Sequence, residues 1–225
     1  MCREDTPLKS PCGSLDTISN LLDTLSLVRE LDEGINKRIA NRIAELRSAR
    51  GLSLDAAAAK SGVSRSMISL IERGESSPTA VVLEKLATGL GVTLASLFDI
   101  PADPMIPRGP ISRHQDQHQW RDPASGYVRR NVSPPGQSQR AQIVEVHFPA
   151  GARVAFETGA RDPRVHQQVW MLKGSINITV GSSQHNLQEG DCLAMQLDQP
   201  TMFHNPGRQT ARYAVILSPE SPVKR

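Results

Sequence analysis

The sequence has no apolar run approaching the roughly 20 residues that a membrane-spanning helix needs, so no membrane partner is expected. Its opening stretch, MCREDTPLKSPCGS, is polar and lacks the apolar centre of a secretory signal. Cysteine is scarce. Cys2, Cys12 and Cys192 are an odd set without CxxC spacing, which argues against a disulfide framework or a cysteine zinc site and suits a reducing cytoplasm. A glycine-rich phosphate loop, a GxSxG turn and an HExxH helix are all missing, so phosphate cradling, serine hydrolysis and zinc proteolysis have no signature here.

What is present divides the 225 residues into unlike parts. Residues 1–34 carry three Lys/Arg against seven Asp/Glu, residues 35–98 carry nine against five, and the remainder fourteen against eleven. The positive excess per residue is greatest in 35–98, as expected of a segment that meets phosphate. Residues 1–34 read as an extension whose apolar positions Leu15, Ile18, Leu21, Leu22, Leu25, Val28 and Leu31 recur at helical spacing. Residues 35–99 read as a helical module, opening with Ile35, Ile39, Ile43 and Leu46 on one face. Pro101, Pro104, Pro107 and Pro110 forbid regular helix over 100–110, which reads as a linker. Residues 111–225 change texture. Short alternating or β-branched runs (GYVRRNV, QIVEVHF, RVAFE, QVWMLKG, SINITV, CLAMQL, ARYAVIL) are separated by turn sequences such as PAGA, EGD and NPGR. Strands so closely spaced, without helices between them, predict a sandwich or small barrel.

Within the helical module, Ser53, Ser64, Thr79 and Thr93 each stand where a helix N-cap is needed, and Asp55 in a first turn opposes the helix dipole. The alanines 56–59 permit close helix approach, and Gly62 supplies a turn with positive φ. In SRSMISLIERG, Met67, Ile68 and Ile71 are expected inward, with Arg65, Ser66, Ser69 and Arg73 outward, and Gly74 ending the helix. Two short helices joined by a glycine-containing turn are a helix-turn-helix, and a bundle that binds no DNA would satisfy capping and packing equally well.

The run GVSRSMISLIERGESSP and its sequel resemble the XRE-type, lambda-repressor-like helix-turn-helix family. The matching positions are Leu46, Arg47, Gly51, Leu52, Ser53, Ala57, Gly62, Val63, Ser64, Ile68, Ile71, Glu72, Gly74, Pro78, Leu83, Leu86, Ala87, Leu90, Gly91, Val92 and Leu97. The resemblance implies a recognition helix over Ser64–Arg73, with Ser64, Arg65, Ser66 and Ser69 toward the major groove and Arg47, Arg50, Lys60 and Arg73 toward phosphate. One departure is Leu54, where the family often has a Gln that touches the DNA backbone.

Residues 140–219 resemble a cupin, through PAGARV, VWMLKGSINITVG and HNLQEGDCLAMQLDQPTMFHNPG. Many cupins hold a metal through two His, a Glu and a later His. Here the corresponding stretch is Arg161–Arg164, the Glu position is Gln167 and the late His position is Thr201, while His166 and His204 fall off the expected strand face. The expectation is therefore no metal and no cofactor. Arg161, Arg164, Gln167 and Thr201 are instead expected to hold a small polar or acidic molecule.

The architecture expected is thus a helical bundle followed by an all-β cupin barrel with its core at about 140–219. The function expected is a cytoplasmic, sequence-specific regulator that binds double-stranded DNA as a homodimer on an inverted repeat, and whose barrel binds a small effector rather than acting as an enzyme. The competing readings are a metal-dependent cupin enzyme fused to a helix-turn-helix domain and an antitoxin-like interaction module.

Overall fold

The computed structural model describes residues 34–98, 109–134, 141–157 and 164–219. The expected helix within 15–33, and the expected linker apart from Gly109 and Pro110, lie outside the described residues.

Helix α1 covers residues 34–49, and Ile35, Ile39, Ile43 and Leu46 are buried along one face as the spacing predicts. Helices α2 (Leu54–Ser61), α3 (Arg65–Glu72) and α4 (Ala80–Gly89) follow, then a 3₁₀ turn at Ala95–Phe98. Each start is set by the hydroxyl that the sequence offers. Ser53 accepts from the Ala56 N–H, Ser64 from Met67, Thr79 from Val82 and Thr93 from Ser96, meeting donors that have no partner inside the helix. Gly62 ends α2 at φ 68°, a left-handed conformation that would strain a Cβ. Helices α2 and α4 pack so closely that a Cβ on Gly89 would lie 2.7 Å from Ser61 Cα. Met67 departs from expectation: it is 37 % exposed. Ile68 and Ile71 form the buried stripe of α3, and residue 67 sits about 100° around the helix from Ile68.

Ten antiparallel strands form the rest: β1 (Gln119–Arg121), β2 (Val128–Asn131), β3 (Gln142–Phe148), β4 (Arg153–Phe156), β5 (Val165–Lys173), β6 (Ser175–Val180), β7 (Ser183–Gln188), β8 (Cys192–Gln196), β9 (Thr201–His204) and β10 (Ala211–Pro219). They make a six-stranded sheet, β1-β2-β3-β10-β5-β8, and a four-stranded sheet, β4-β9-β6-β7. This is the expected helical bundle followed by a cupin barrel. In β5 the alternation is strict: Val165, Gln167, Val169 and Met171 are buried while His166, Gln168 and Trp170 are exposed, the period-two signature of one face on a core.

The buried side chains of the helices and of the barrel form one continuous hydrophobic cluster. Its spine is aromatic. Phe98, Trp120, Tyr127, Phe148, Tyr213, Phe203 and Phe156 contact in series, with centroid separations of 5.5–6.3 Å. Trp170 is the one aromatic of the eight in the chain that stands outside this series, and it is 49 % exposed. Each such pair adds about 0.5–1.5 kcal/mol beyond area burial.

Candidate nucleic-acid interface and barrel cavity

Helix α3 presents Ser64, Arg65 and Ser66 exposed at its N-terminal end, Arg73 exposed at its C-terminal end, and Ser69 half-buried between them. Arg65, Ser66, Ser69 and Arg73 line a shallow surface groove with Leu54 and Leu70. Arg65 and Arg73 both have carboxylate neighbours. Arg65 Nε lies 3.3 Å from Asp55, and Arg73 donates from Nε and Nη2 to Glu75, each at 2.8 Å. The Glu75 carboxyl is held below the usual carboxylate range by the Arg73 hydrogen bond. These pairs are open to water and screened, so phosphate can replace the carboxylates.

The outlying cations differ in role. Arg47 grips both Glu72 oxygens, Nε to Oε1 at 2.7 Å and Nη2 to Oε2 at 2.8 Å, and gives Nη1 to the Leu52 carbonyl at 2.9 Å. Its guanidinium, whose pKa is raised by the Glu72 hydrogen bond, thus ties α1 to the end of α3. Arg50 donates to the Leu46 carbonyl at 3.0 Å and is exposed, and Lys60 is exposed in the last turn of α2.

The second feature is a cavity of about 80 Å³ inside the barrel. Gln167 from β5 and Thr201 from β9 line it, as do Tyr127, Phe148, Phe156, Phe203 and Tyr213. Burial raises the hydroxyl pKa of Tyr127 to about 12 and lifts that of Tyr213 well above its ordinary value, so both are neutral hydrogen-bonding groups. Arg161 lies outside the described residues, and Arg164 is exposed and is not part of the cavity lining. The reason is parity: 164 precedes β5, and the inward positions of that strand are 165, 167, 169 and 171. Two lining residues escaped the sequence reading. Arg129, on β2, is buried and lies 4.6 Å over the Phe98 ring. Glu84, on α4, is buried also. Glu84, Thr93 and Leu94 bring the helical module directly into the cavity wall.

The helical module is bound to the barrel at further points. Asp122 accepts the Ala80 N–H, Lys85 pairs with Glu157 at 2.8 Å, and Phe98 meets Trp120. At α1, Arg38 Nη1 lies 2.7 Å from His118 Nε2. On the outer face of the large sheet, Glu145 is held between Arg130 and Arg212. Among the described residues no cluster of three His, Cys, Asp or Glu is arranged to hold a metal ion, and no helix is long and apolar enough to cross a membrane.

Comparison with known proteins follows these two features. Residues 43–97 match the helix-turn-helix family HTH_3. The chain is 26 % identical to the HTH-type transcriptional regulator SutR of Escherichia coli K12, over 82 % of this chain and 97 % of that one. It is 36 % identical to the HTH-type transcriptional regulator y4dJ of Sinorhizobium fredii, over 28 % of this chain and 82 % of the relative. Among solved structures, an HTH_3 family transcriptional regulator from Vibrio cholerae superposes with a TM-score of 0.67 at 28 % identity, covering 84 % of this chain and 99 % of that one.

Proposed function

Because the chain belongs to the XRE-type (HTH_3) helix-turn-helix transcriptional regulators and joins that domain to a cupin, we propose that it reads a specific operator as a homodimer and that a small polar molecule in the barrel sets its DNA affinity. The observation that carries the DNA reading is the outward face of α3, where Arg65, Ser66, Ser69 and Arg73 share one groove. The positions expected to meet the major groove are Ser64, Arg65, Ser66 and Ser69. An α-helix fits that groove, and Arg and Ser there have base-edge donors and acceptors within reach. Arg50, Lys60 and Arg73 are the phosphate contacts. Arg47 has a structural task, since its donors are used by Glu72 and Leu52.

The effector reading rests on Gln167 and Thr201, neutral polar side chains facing a cavity walled mostly by apolar and aromatic residues. A molecule there touches Glu84 on α4 without crossing any linker, so the coupling to DNA runs through packed contacts. An enzymatic reading finds less support. The cupin positions that would seat a Glu and a His carry Gln167 and Thr201, whose neutral oxygens are poor ligands for transition metals, and the relatives above are named as regulators.

Selection of bound duplexes from a random pool tests the DNA reading. Enrichment of one inverted repeat is expected, with half-sites about one helical turn apart. A pool that emerges without a shared sequence would end it. Light scattering at concentrations that saturate the selected site tests the dimer, and a monomer there would sink that part.

A further inference from the structure

The cavity has a specific chemical bias, and one wall of it belongs to the DNA-binding half. Four lining side chains more than nine-tenths buried are polar: Glu84, Arg129, Gln167 and Thr201. Glu84 and Arg129 bring one formal charge of each sign, so the lining is neutral as a whole. The two other ionisable lining groups, Tyr127 and Tyr213, stay protonated at physiological pH. Among the described residues, neither the Gln167 amide nor the Thr201 hydroxyl forms a hydrogen bond. Facing the cavity, these groups can hydrogen-bond an occupant, and their capacity is two-sided: an amide and a hydroxyl each donate and accept. Apart from Thr93, the remaining wall is apolar and includes Val144, Val146, Phe148, Phe156, Phe203 and Leu217. With a volume of about 80 Å³, against roughly 150 Å³ for a cavity that takes a benzene ring, the space suits about three to five non-hydrogen atoms.

We propose that this cavity selects a small net-neutral molecule, or end group, with one donor–acceptor head on Gln167 and Thr201 and a short apolar body, and that Glu84, Thr93 and Leu94 make the helical module part of its binding site. This rests on the reading of the barrel as a sensor and narrows its ligand to a primary amide or alcohol type. A net charge is disfavoured because the lining holds no spare countercharge and little water. The small acidic ligand implied by an Arg161–Arg164 clamp is thereby replaced. The contact with α4 makes occupancy and helix position one equilibrium, so a ligand that prefers one arrangement of the helices changes DNA affinity by that preference.

The test uses the full chain with labelled Leu and Val methyl groups and three probes of similar size: propionamide, propionate and propylamine. Propionamide is expected to give saturable millimolar shifts at Leu217 and Val144 of the barrel and also at Leu94 of the helical module. The two charged probes are expected to bind at least tenfold more weakly, and Thr201→Val with Gln167→Met to weaken propionamide at least tenfold. Equal or tighter binding of either charged probe overturns the neutral-ligand assignment. Shifts confined to the barrel with Leu94 unmoved overturn the shared site, and no saturable shift with any probe overturns both. Operator binding of the same samples is measured by fluorescence anisotropy. Retained operator binding beside a failed cavity result removes this inference alone, whereas loss of operator binding in the unsubstituted chain strikes the regulator reading itself.

Discussion

Asp122, in the turn after β1, accepts the backbone N–H of Ala80 at 2.9 Å, so a barrel residue completes the N-terminus of a helix in the DNA-binding module. Its other oxygen takes the Ser125 N–H at 2.8 Å and the Ser125 hydroxyl. The carboxylate also sits where the positive end of the α4 dipole favours an anion. Thr79 serves the Val82 N–H of the same helix, so sequence-local and sequence-distant caps divide the orphan donors between them.

Asp122→Ala should therefore destabilise the chain by about 1–3 kcal/mol, because it strands a buried donor at Ala80 and half-buried donors at Ser125. Asp122→Asn, which keeps an acceptor, should cost less. Denaturant unfolding followed by circular dichroism measures both. A change in D122A within about 0.5 kcal/mol, the range of ordinary surface substitutions, would show that the contact between α4 and the barrel contributes little.

Arg65→Ala should relax base choice more than it weakens binding to random duplex. Arg65 stands exposed at the start of α3 with the exposed Asp55 as its ion-pair partner among the described residues, and a lost base contact costs about 1–3 kcal/mol at the position it reads. Competition binding across single-base operator variants checks this. A uniform loss on every sequence would make Arg65 a phosphate contact.

Arg47→Ala should act on folding. Its bidentate pair with Glu72 is partly buried, with side-chain exposures of 19 % and 12 %, and charged hydrogen bonds of this kind contribute about 1.5–3 kcal/mol. Thermal unfolding should fall accordingly, and the salt dependence of DNA binding should keep its slope. A slope lowered by about one phosphate equivalent, with unchanged stability, would assign Arg47 to the DNA instead.

Acid should loosen the join between α1 and the barrel. His118 has its pKa lowered by burial first and by the Arg38 charge second, with Asp116 opposing. The folded protein then binds this proton less readily than the unfolded chain, whose histidines titrate near 6.5. The contribution is complete above about pH 6.5 and is lost as pH falls through that value toward the folded pKa. His147 acts in the same direction, through burial and then the charges of Arg212 and Arg130. Denaturation midpoints between about pH 5 and 7.5 should rise with pH, and His118→Asn should flatten that rise. An unchanged slope in the variant would remove His118 from the account.

The helical module was legible because its signals are local. Ser53, Ser64, Thr79 and Thr93 cap where hydroxyls precede apolar periodicity, and Gly62 turns where positive φ is required. Met67 departs from expectation because adjacent residues point about 100° apart on a helix, so it cannot share the buried face of Ile68 and Ile71. In the barrel, β7 and β9 are missing from the runs that read as strands: SQHNLQ is polar and mostly exposed, and TMFH is short. Gln167 and Thr201, expected from their cupin positions to hold an effector, both line the cavity. Glu84 and Arg129 were missed because charge suggests a surface, although strand parity with Tyr127 already turned Arg129 inward, and Glu84 lies on the helix face of buried Ala80 and Ala87.

The aromatic series from Phe98 to Phe156 bears on how this chain can be re-engineered. Recombining regulators by fusing one protein's DNA reader to another's sensor supposes that the seam between them is inert. Here a junction anywhere between residues 98 and 119 separates Phe98 from Trp120 and leaves an aromatic edge on each fragment without its mate. A hybrid that keeps Phe98 together with β1, β2 and the Asp122 turn carries the seam intact, whereas one joined at the proline-rich stretch inherits two mismatched halves. The unit of exchange in this protein is consequently set by its ring contacts, and it extends past the helix-turn-helix into the first two strands.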